Sequence, residues 1–142
     1  MKIASFRELR VWQAGMALVE DVYRLTAECP RSEVYGLASQ MQRAAVSVPA
    51  NIAEGHTRSY TREYLHYIAM AHGSLAELET QLEIAVRLGY VEPDRAAILT
   101  EASAAVSRQL TALRTARSER LTRAQTPDPR AQIPDPTSHH VS

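Results

Sequence analysis

The residues whose spacing could bind a metal are Glu63 and His66. A Glu-x-x-His motif supplies ligands to the di-iron sites of helical bundles, but such a site needs a second copy of the motif and two further glutamates. The motif occurs once in this sequence, and on a helix His66 projects away from Tyr64 and Ile68, which belong to the apolar face. The single Cys29 also stands outside any cluster with zinc spacing. We therefore expect no metal and no cofactor.

The sequence also shows no pattern that places a catalytic acid, base or nucleophile beside a suitable partner. His72 lies close to an apolar seam, two helical turns before Glu79, where a surface or interface histidine is commoner than a ligand. The sequence contains no glycine-rich phosphate loop and no Gly-x-Ser-x-Gly elbow, and no histidine stands beside a plausible nucleophile. This pattern predicts that the protein is not an enzyme.

A polar stripe follows one side of the helix-forming segment between residues 35 and 55. Its members recur at steps of three and four residues: Gln40, Arg43, Ser47, Asn51 and Glu54. Three interpretations are open: a solvent-exposed surface, a subunit interface or a binding site for a small molecule. Solvent-facing helices usually carry long charged side chains, whereas this stripe is mixed and Ala50 and Ala53 beside it allow another helix to approach. We therefore favour a surface that binds another subunit or a partner.

The net charge of the chain is zero but unevenly distributed. Residues 1–101 carry a net charge of −3, and residues 102–142 carry +3. The positive charge is concentrated in Arg108, Arg114, Arg117, Arg120 and Arg123. Such a run is typical of a solvated helix end, where cations suit the helix dipole, and arginines are also what a nucleic-acid surface uses. On a straight helix these five spread around the axis, so only a ring of subunits would gather them into one band.

Four amphipathic segments position these residues. The first is predicted to open with a capping box at Ser5 and Glu8 and to end at Cys29-Pro30. Its expected inward seam is Leu9, Trp12, Met16, Val19, Tyr23 and Thr26. The second begins between Ser32 and Ser39 and ends at Gly55. Its inward face is Leu37, Met41, Ala44, Ala45, Val48 and Ile52, and Pro49 is expected to kink it, because an interior proline costs a helix ~3 kcal/mol or more.

The third and fourth helices are predicted from the same periodicity. The third is capped by Ser59 or Thr61 and stops at Gly89, with an apolar seam of Tyr64, Ile68, Ala71, Leu75, Leu78, Leu82 and Ala85. The fourth begins at Pro93 and faces inward through Leu99, Ala102, Val106, Leu110 and Leu113. Since no segment alternates with period two, the sequence predicts an all-α fold: an antiparallel up-down four-helix bundle.

The expected domain organisation is a bundle domain at residues 1–121 followed by a flexible tail at residues 122–142. The tail contains Pro127-Asp128-Pro129 and Pro134-Asp135-Pro136, and its composition is typical of disorder. Proline-rich tails can bind partner domains, but a plain solvated tail is the simpler interpretation. Neither a signal peptide nor an apolar run long enough to span a membrane is present, so we expect a cytoplasmic protein without a membrane partner.

Several segments resemble one known family. They are Val11-Trp12-Gln13, Tyr35-Gly36-Leu37, Ser39-Gln40, the run from Arg43 to Gly55, Gly73-Ser74-Leu75, Glu77-Leu78-Glu79, Gln81-Leu82 and Leu88-Gly89-Tyr90. They are similar to the four-helix-bundle proteins first noted as products of intervening sequences in 23S ribosomal RNA genes. That family is related to the accessory variability determinant of diversity-generating retroelements.

This resemblance implies an up-down bundle assembled as a ring-shaped homopentamer, with no known catalytic activity. The retroelement accessory protein is a basic pentamer that binds its reverse transcriptase and nucleic acid. For this chain the resemblance therefore implies a scaffold that docks a reverse transcriptase or another nucleic-acid enzyme, with direct RNA or DNA binding as the alternative. The neutral charge of this chain departs from that pattern.

Overall fold

Four α-helices make up most of the protein. The computed structural model describes residues 5–125, and within them the helices are α1 (Arg10–Thr26), α2 (Leu37–His56), α3 (Thr61–Arg87) and α4 (Pro93–Gln125). Two short 3₁₀ turns, Phe6–Glu8 and Arg31–Glu33, precede α1 and α2. The described residues contain no β-strand. The predicted all-α fold is confirmed.

The helices are arranged so that each packs against its neighbours in the chain. α2 lies between α1 and α3, α4 packs against α3, and the ring of contacts is closed by α1 against α4. Short connections make successive helices antiparallel, and an antiparallel up-down four-helix bundle results, as predicted. The core contains all the residues predicted for the inward faces of α2 and α3; among its fully buried side chains are Met41, Val48, Ile52, Ile68, Leu75, Leu78 and Leu82.

The inward face predicted for the first helix is wrong in part. The buried residues of α1 are Val11, Gly15, Leu18, Val22, Leu25 and Thr26. Of the predicted seam, Met16 is 38% exposed and Tyr23 is 49% exposed, while Trp12 and Val19 are only partly buried. α1 therefore carries two adjacent apolar stripes, and the spacing alone could not tell which one faces the core. The second stripe remains on the surface.

The start of α1 also differs from the predicted capping box. Ser5 caps the short 3₁₀ turn, because its hydroxyl oxygen accepts a hydrogen bond from the Arg7 N–H at 3.2 Å. Leu9 then adopts an extended conformation, and α1 begins at Arg10. The capping signal was located correctly, but it serves a separate turn.

A glutamate outside the helix caps α2. The Glu33 carboxylate accepts a hydrogen bond from the Leu37 N–H at 2.9 Å through Oε2 and one from the Tyr90 hydroxyl at 3.2 Å through Oε1. Glu33 thus ties the start of α2 to the α3–α4 connection. In that connection Gly89 has a φ of 75°, which favours glycine and ends α3 where predicted.

Pro49 lies buried in the interior of α2, which runs without interruption from Leu37 to His56. Its ring faces α1 at Gly15, where an added Cβ would lie 3.6 Å from the Pro49 Cβ and Cδ atoms. This is an ordinary van der Waals distance, so α1 and α2 pack closely at this point with room for a methyl group at Gly15. α4 continues to Gln125, past the predicted domain boundary at residue 121, and the predicted proline-rich tail lies outside the described residues from 126 onward.

Candidate interaction surfaces

The polar stripe of α2 divides into an inner and an outer part. Asn51 is buried, and its Nδ2 donates to the Ser47 carbonyl at 2.8 Å and to the Ser47 hydroxyl oxygen at 2.9 Å. The Ser74 hydroxyl of α3 donates to the same Ser47 oxygen at 2.8 Å. These three residues join α2 to α3 within one chain.

Glu54, at the end of the stripe, is also held within the chain. Its Oε2 accepts a hydrogen bond from Arg58 Nη2 at 2.9 Å. The same nitrogen donates to the Tyr67 hydroxyl at 2.8 Å, and the guanidinium lies 4.9 Å from the Tyr67 ring centroid. This group of three anchors the α2–α3 turn.

Gln40 and Arg43 are the outer part of the stripe. Both are exposed, and neither side chain has a hydrogen bond or ion pair to another of the residues at 5–125. Arg43 lines a shallow groove together with Tyr23 and Val46. Of the stripe predicted to bind another molecule, these two residues remain available.

The arginines of α4 have different surroundings. Arg108 pairs with Glu101 at 3.0 Å, and the Arg117 guanidinium lies over the Tyr64 ring at 4.2 Å from its centroid. Arg114 and Arg120 are exposed. Burial raises the pKa of Tyr64, and the positive charges of Arg117 and Arg120 oppose that rise. Arg123 belongs to the same helix, four turns after Arg108.

Folding separates the charges along the axis of the bundle. The half that contains the α2–α3 turn comprises residues 5–18, 47–73 and 105–125 and carries nine arginines against four glutamates. The other half, residues 19–46 and 74–104, carries five arginines against ten acidic residues. Among the described residues, a neutral chain therefore has one basic half, at +5, and one acidic half, at −5. The sequence asymmetry between 1–101 and 102–142 captured only part of this separation.

Two apolar surfaces stay partly or fully exposed when only residues 5–125 are considered. The first, the α1–α2 face, consists of Trp12, Met16, Val19, Tyr23, Val46 and Ala50. The second, the α3 face, consists of Ala69, Met70, Gly73, Ala76 and Ile84. Gly73 is in mid-helix, and a Cβ added there would meet no atom within 4 Å. Since glycine costs a helix interior about 1 kcal/mol relative to alanine, nothing in the described chain explains its presence.

The structure brings together one serine and histidine that the sequence did not pair. The Ser107 hydroxyl oxygen lies 3.2 Å from His72 Nδ1, across the α3–α4 contact. The Nε2 atom of His72 is buried and has no partner among residues 5–125. Activation of a serine needs a third group that orients the base, and the described part of the chain does not supply one here. The pair thus joins two helices.

The remaining candidate features are His66, metal-binding clusters and membrane-spanning helices. His66 is exposed on α3, and the residues at 5–125 contain no group of three or more His, Cys, Asp or Glu side chains that could hold a metal ion. No helix within this range is both long and apolar enough to cross a membrane.

The geometry defines a class of protein: a small all-α bundle with exposed apolar faces and with its positive and negative charges in separate halves. The chain belongs to the 23S rRNA-intervening sequence protein family, whose model matches residues 7–112. The resemblance inferred from the sequence is thereby confirmed. No curated protein matches the chain.

A solved structure has the same fold. It is the 1.70 Å crystal structure of a protein of unknown function from the S23 ribosomal protein family of Bacteroides thetaiotaomicron VPI-5482. The two chains are 17% identical, the match covers 73% of this chain and 97% of the other, and the TM-score is 0.66. At this identity the likeness establishes the fold alone.

Proposed function

We propose that this protein is a non-enzymatic, cytoplasmic scaffold that assembles with copies of itself and docks a protein partner. The observation that carries the proposal is the presence of two separate apolar faces that the described residues leave exposed. A monomer would leave Met16, Tyr23, Met70 and Ile84 in water, and exposed apolar surfaces of this kind mark interaction sites.

Two different faces favour a ring over a simple dimer. In a twofold dimer one patch meets its own copy, whereas in a ring one patch meets a different patch on the next subunit. The groove beside the α1–α2 face contains the unpaired Arg43, and the groove beside the α3 face contains Glu79. These opposite charges suit a contact between the two faces. A homopentamer is the ring that the resemblance to the family implies.

Substitution of Gly73 tests this assembly without harming the helix. Gly73→Arg introduces a long side chain into open space and replaces the poorest non-proline helix former with a good one. If the α3 face packs against another subunit, this variant is a well-folded monomer by light scattering, while the wild type has five times the mass of one chain. Ile98→Glu is the matched control, because Ile98 is 64% exposed and lies outside both faces. A monomeric wild type would refute the proposal.

The acidic half of the bundle is the proposed docking surface for the protein partner. Its net charge of −5 complements an enzyme that handles nucleic acid, because such enzymes carry basic surfaces. We propose a reverse transcriptase as this partner, as the resemblance to the retroelement accessory protein implies. Co-expression with a retroelement reverse transcriptase, followed by affinity purification, tests the pairing. Loss of co-purification is expected for Glu92→Arg, because Glu92 is an exposed acidic residue of this half outside both apolar faces; persistence of the complex in that variant would contradict the docking surface.

Direct RNA or DNA binding is the second candidate, and the charge separation favours it. The basic half gathers Arg114, Arg117 and Arg120 of α4 with Arg58 of the α2–α3 turn and Arg62 at the start of α3. A surface that neutralises phosphates loses affinity steeply with salt, by about a thousandfold or more between 50 and 200 mM for six or more contacts. Fluorescence anisotropy across this salt range tests it, and an affinity that ignores salt would contradict it.

A further inference from the structure

We propose that the α2–α3 turn binds single-stranded nucleic acid, with Tyr60 as a stacking platform for a base. The neighbouring arginines of the turn and of α4 contact the phosphates. This inference rests on the second candidate function above. It goes beyond that function because it names the class of nucleic acid and a turn that the arginine pattern of α4 does not include.

Tyr60 is placed as a platform for an incoming ring. It precedes the first residue of α3 in an extended conformation, with φ −98° and ψ 135°, and it is 72% exposed. Its backbone is fixed, because the Tyr60 carbonyl accepts a hydrogen bond from the Tyr64 N–H at 3.1 Å. No described ring or guanidinium stacks on its ring. A rigid backbone with a free aromatic face suits base stacking.

The cations around Tyr60 come from two elements. Arg58 and Arg62 flank it in the sequence, and Arg62 has no acidic partner among the described residues. Across the bundle Arg117 lies over Tyr64, one turn after Tyr60. Since α4 is antiparallel to α3, its next turn places Arg120 beside the turn itself. These arginines give the end of the bundle that carries Tyr60 an excess of positive charge.

The arginines of the opposite half are engaged differently. Arg24 pairs with Asp21 and Glu20, Arg87 pairs with Glu83, and Arg95 pairs with Glu28. In the basic half Arg62, Arg114 and Arg120 have no ion pair to a described residue. Arg58 and Arg108 of the basic half are paired, and Arg31 and Arg43 of the acidic half are not paired with any described residue. The basic half nevertheless carries the net charge of +5, which gives the phosphates of a polyanion a preferred place to bind.

A single strand fits this arrangement better than a duplex. A duplex presents phosphates but keeps the faces of its bases stacked inside, so an exposed tyrosine adds nothing to its binding. A single strand offers both phosphates and unstacked bases, and stacking of one base on an aromatic side chain is sequence-tolerant. The combination of Tyr60 with free arginines therefore selects a single strand.

Fluorescence anisotropy with two probes tests the inference in the full-length protein. The probes are a fluorescein-labelled oligothymidylate of about 20 nucleotides and a duplex of the same length. We expect Tyr60→Ala to weaken binding of the single strand about tenfold and to leave the duplex affinity within about twofold of the wild type. Tyr60→Phe keeps the aromatic ring and should bind both probes like the wild type. Arg62→Gln is expected to weaken both probes and to reduce the salt dependence.

Matched variants at the other end of the bundle serve as controls. Tyr35 is 97% exposed and belongs to the acidic half, so Tyr35→Ala should leave both affinities unchanged, as should Arg87→Gln. Equal losses in Tyr60→Ala and Tyr35→Ala, or equal losses of single strand and duplex in Tyr60→Ala, would overturn the stacking role while leaving nucleic-acid binding intact. Absence of binding to either probe at low salt would overturn both this inference and the second candidate function.

Discussion

At the scale of single residues, position relative to the neighbouring helix decides what a polar side chain does. Asn51 and Gln40 belong to the same stripe of α2, yet Asn51 is buried against α3 and Gln40 is exposed. Asn51 bonds to Ser47, which in turn accepts from Ser74. A buried network of this kind stabilises the bundle only while every member has its partner.

This difference predicts unequal effects of two similar substitutions. Asn51→Ala removes both bonds to Ser47 and leaves Ser74 with a weakened network, so we expect the free energy of unfolding to fall by about 1–3 kcal/mol. Gln40→Ala removes an exposed side chain and should change it by less than about 0.5 kcal/mol. Urea unfolding followed by circular dichroism compares the two. Similar values for both variants would contradict the inner role of Asn51.

The division within the stripe could not be predicted from the sequence. Helical projection identified the stripe as distinct from the apolar face, but it gives angles about the axis of one helix only. Whether Ser47 faces solvent, another subunit or α3 depends on where α3 lies. The partner on α3, Ser74, is an ordinary helical serine in the sequence, so no local signal marked it.

A pH dependence follows from the surroundings of His72. Burial and, to a lesser extent, the positive charge of Arg114 lower the pKa of His72. The unfolded chain then takes up a proton at higher pH than the folded chain, so the free energy of unfolding should decrease as the pH falls below about 6.5. Above that pH both states hold neutral histidine and the effect vanishes. Urea midpoints measured between about pH 7.5 and 5.5 check this.

Two variants separate His72 from the other titrating groups. His72→Gln should make the urea midpoint less sensitive to pH over this range, because the proton uptake is lost. His66 is exposed on the same helix, and His66→Gln serves as the control. A pH dependence that persists unchanged in His72→Gln would show that other groups cause it.

At the scale of elements, two glycines show how closely α2 approaches the helices on either side. A Cβ added at Gly15 of α1 would lie 3.6 Å from Pro49 and Val48 atoms, an ordinary contact distance. A Cβ added at Gly55 of α2 would lie 3.0 Å from the Tyr67 Cβ. That atom is next to the backbone of α3 and cannot move aside alone.

Replacing glycine by alanine is therefore expected to have opposite effects on the free energy of unfolding at these two positions. Gly15→Ala should raise the free energy of unfolding by about 0.5–1 kcal/mol, because alanine is the better helix former and fits the space. Gly55→Ala should lower it by about 1–3 kcal/mol, because the added methyl group forces α2 and α3 apart. Thermal and urea unfolding measure both. A stabilised Gly55→Ala variant would contradict the tight contact.

The elements themselves were largely predictable, because each helix has apolar residues at helical spacing between clear stop signals. Gly89 and Pro93 mark the α3–α4 connection where the structure has it. The exception is α1, which has apolar residues on two adjacent faces, Leu18 and Val22 on one and Met16 and Tyr23 on the other. Periodicity cannot choose between two apolar stripes; packing against α2 and α4 does.

At the scale of the whole molecule, the two apolar faces and the charge separation are both oriented along the axis of the bundle. Both apolar faces follow the length of the bundle, whereas the charges are separated along its axis. Subunits that associate side by side in the same orientation would therefore collect their basic halves at one rim of a ring and their acidic halves at the other. The proposed nucleic-acid and protein partners would then bind at opposite rims.

The pairing of unlike faces makes a prediction that a twofold dimer does not. Met16→Arg alters the α1–α2 face and Gly73→Arg alters the α3 face, so each variant alone should be a monomer. In a mixture, the intact α3 face of the first variant can meet the intact α1–α2 face of the second, and the altered faces stop further growth. We expect light scattering or native mass spectrometry to detect a one-to-one heterodimer and nothing larger. If either variant still forms a homodimer alone, or the mixture stays monomeric, the two faces do not bind each other, and the ring cannot be built from this contact.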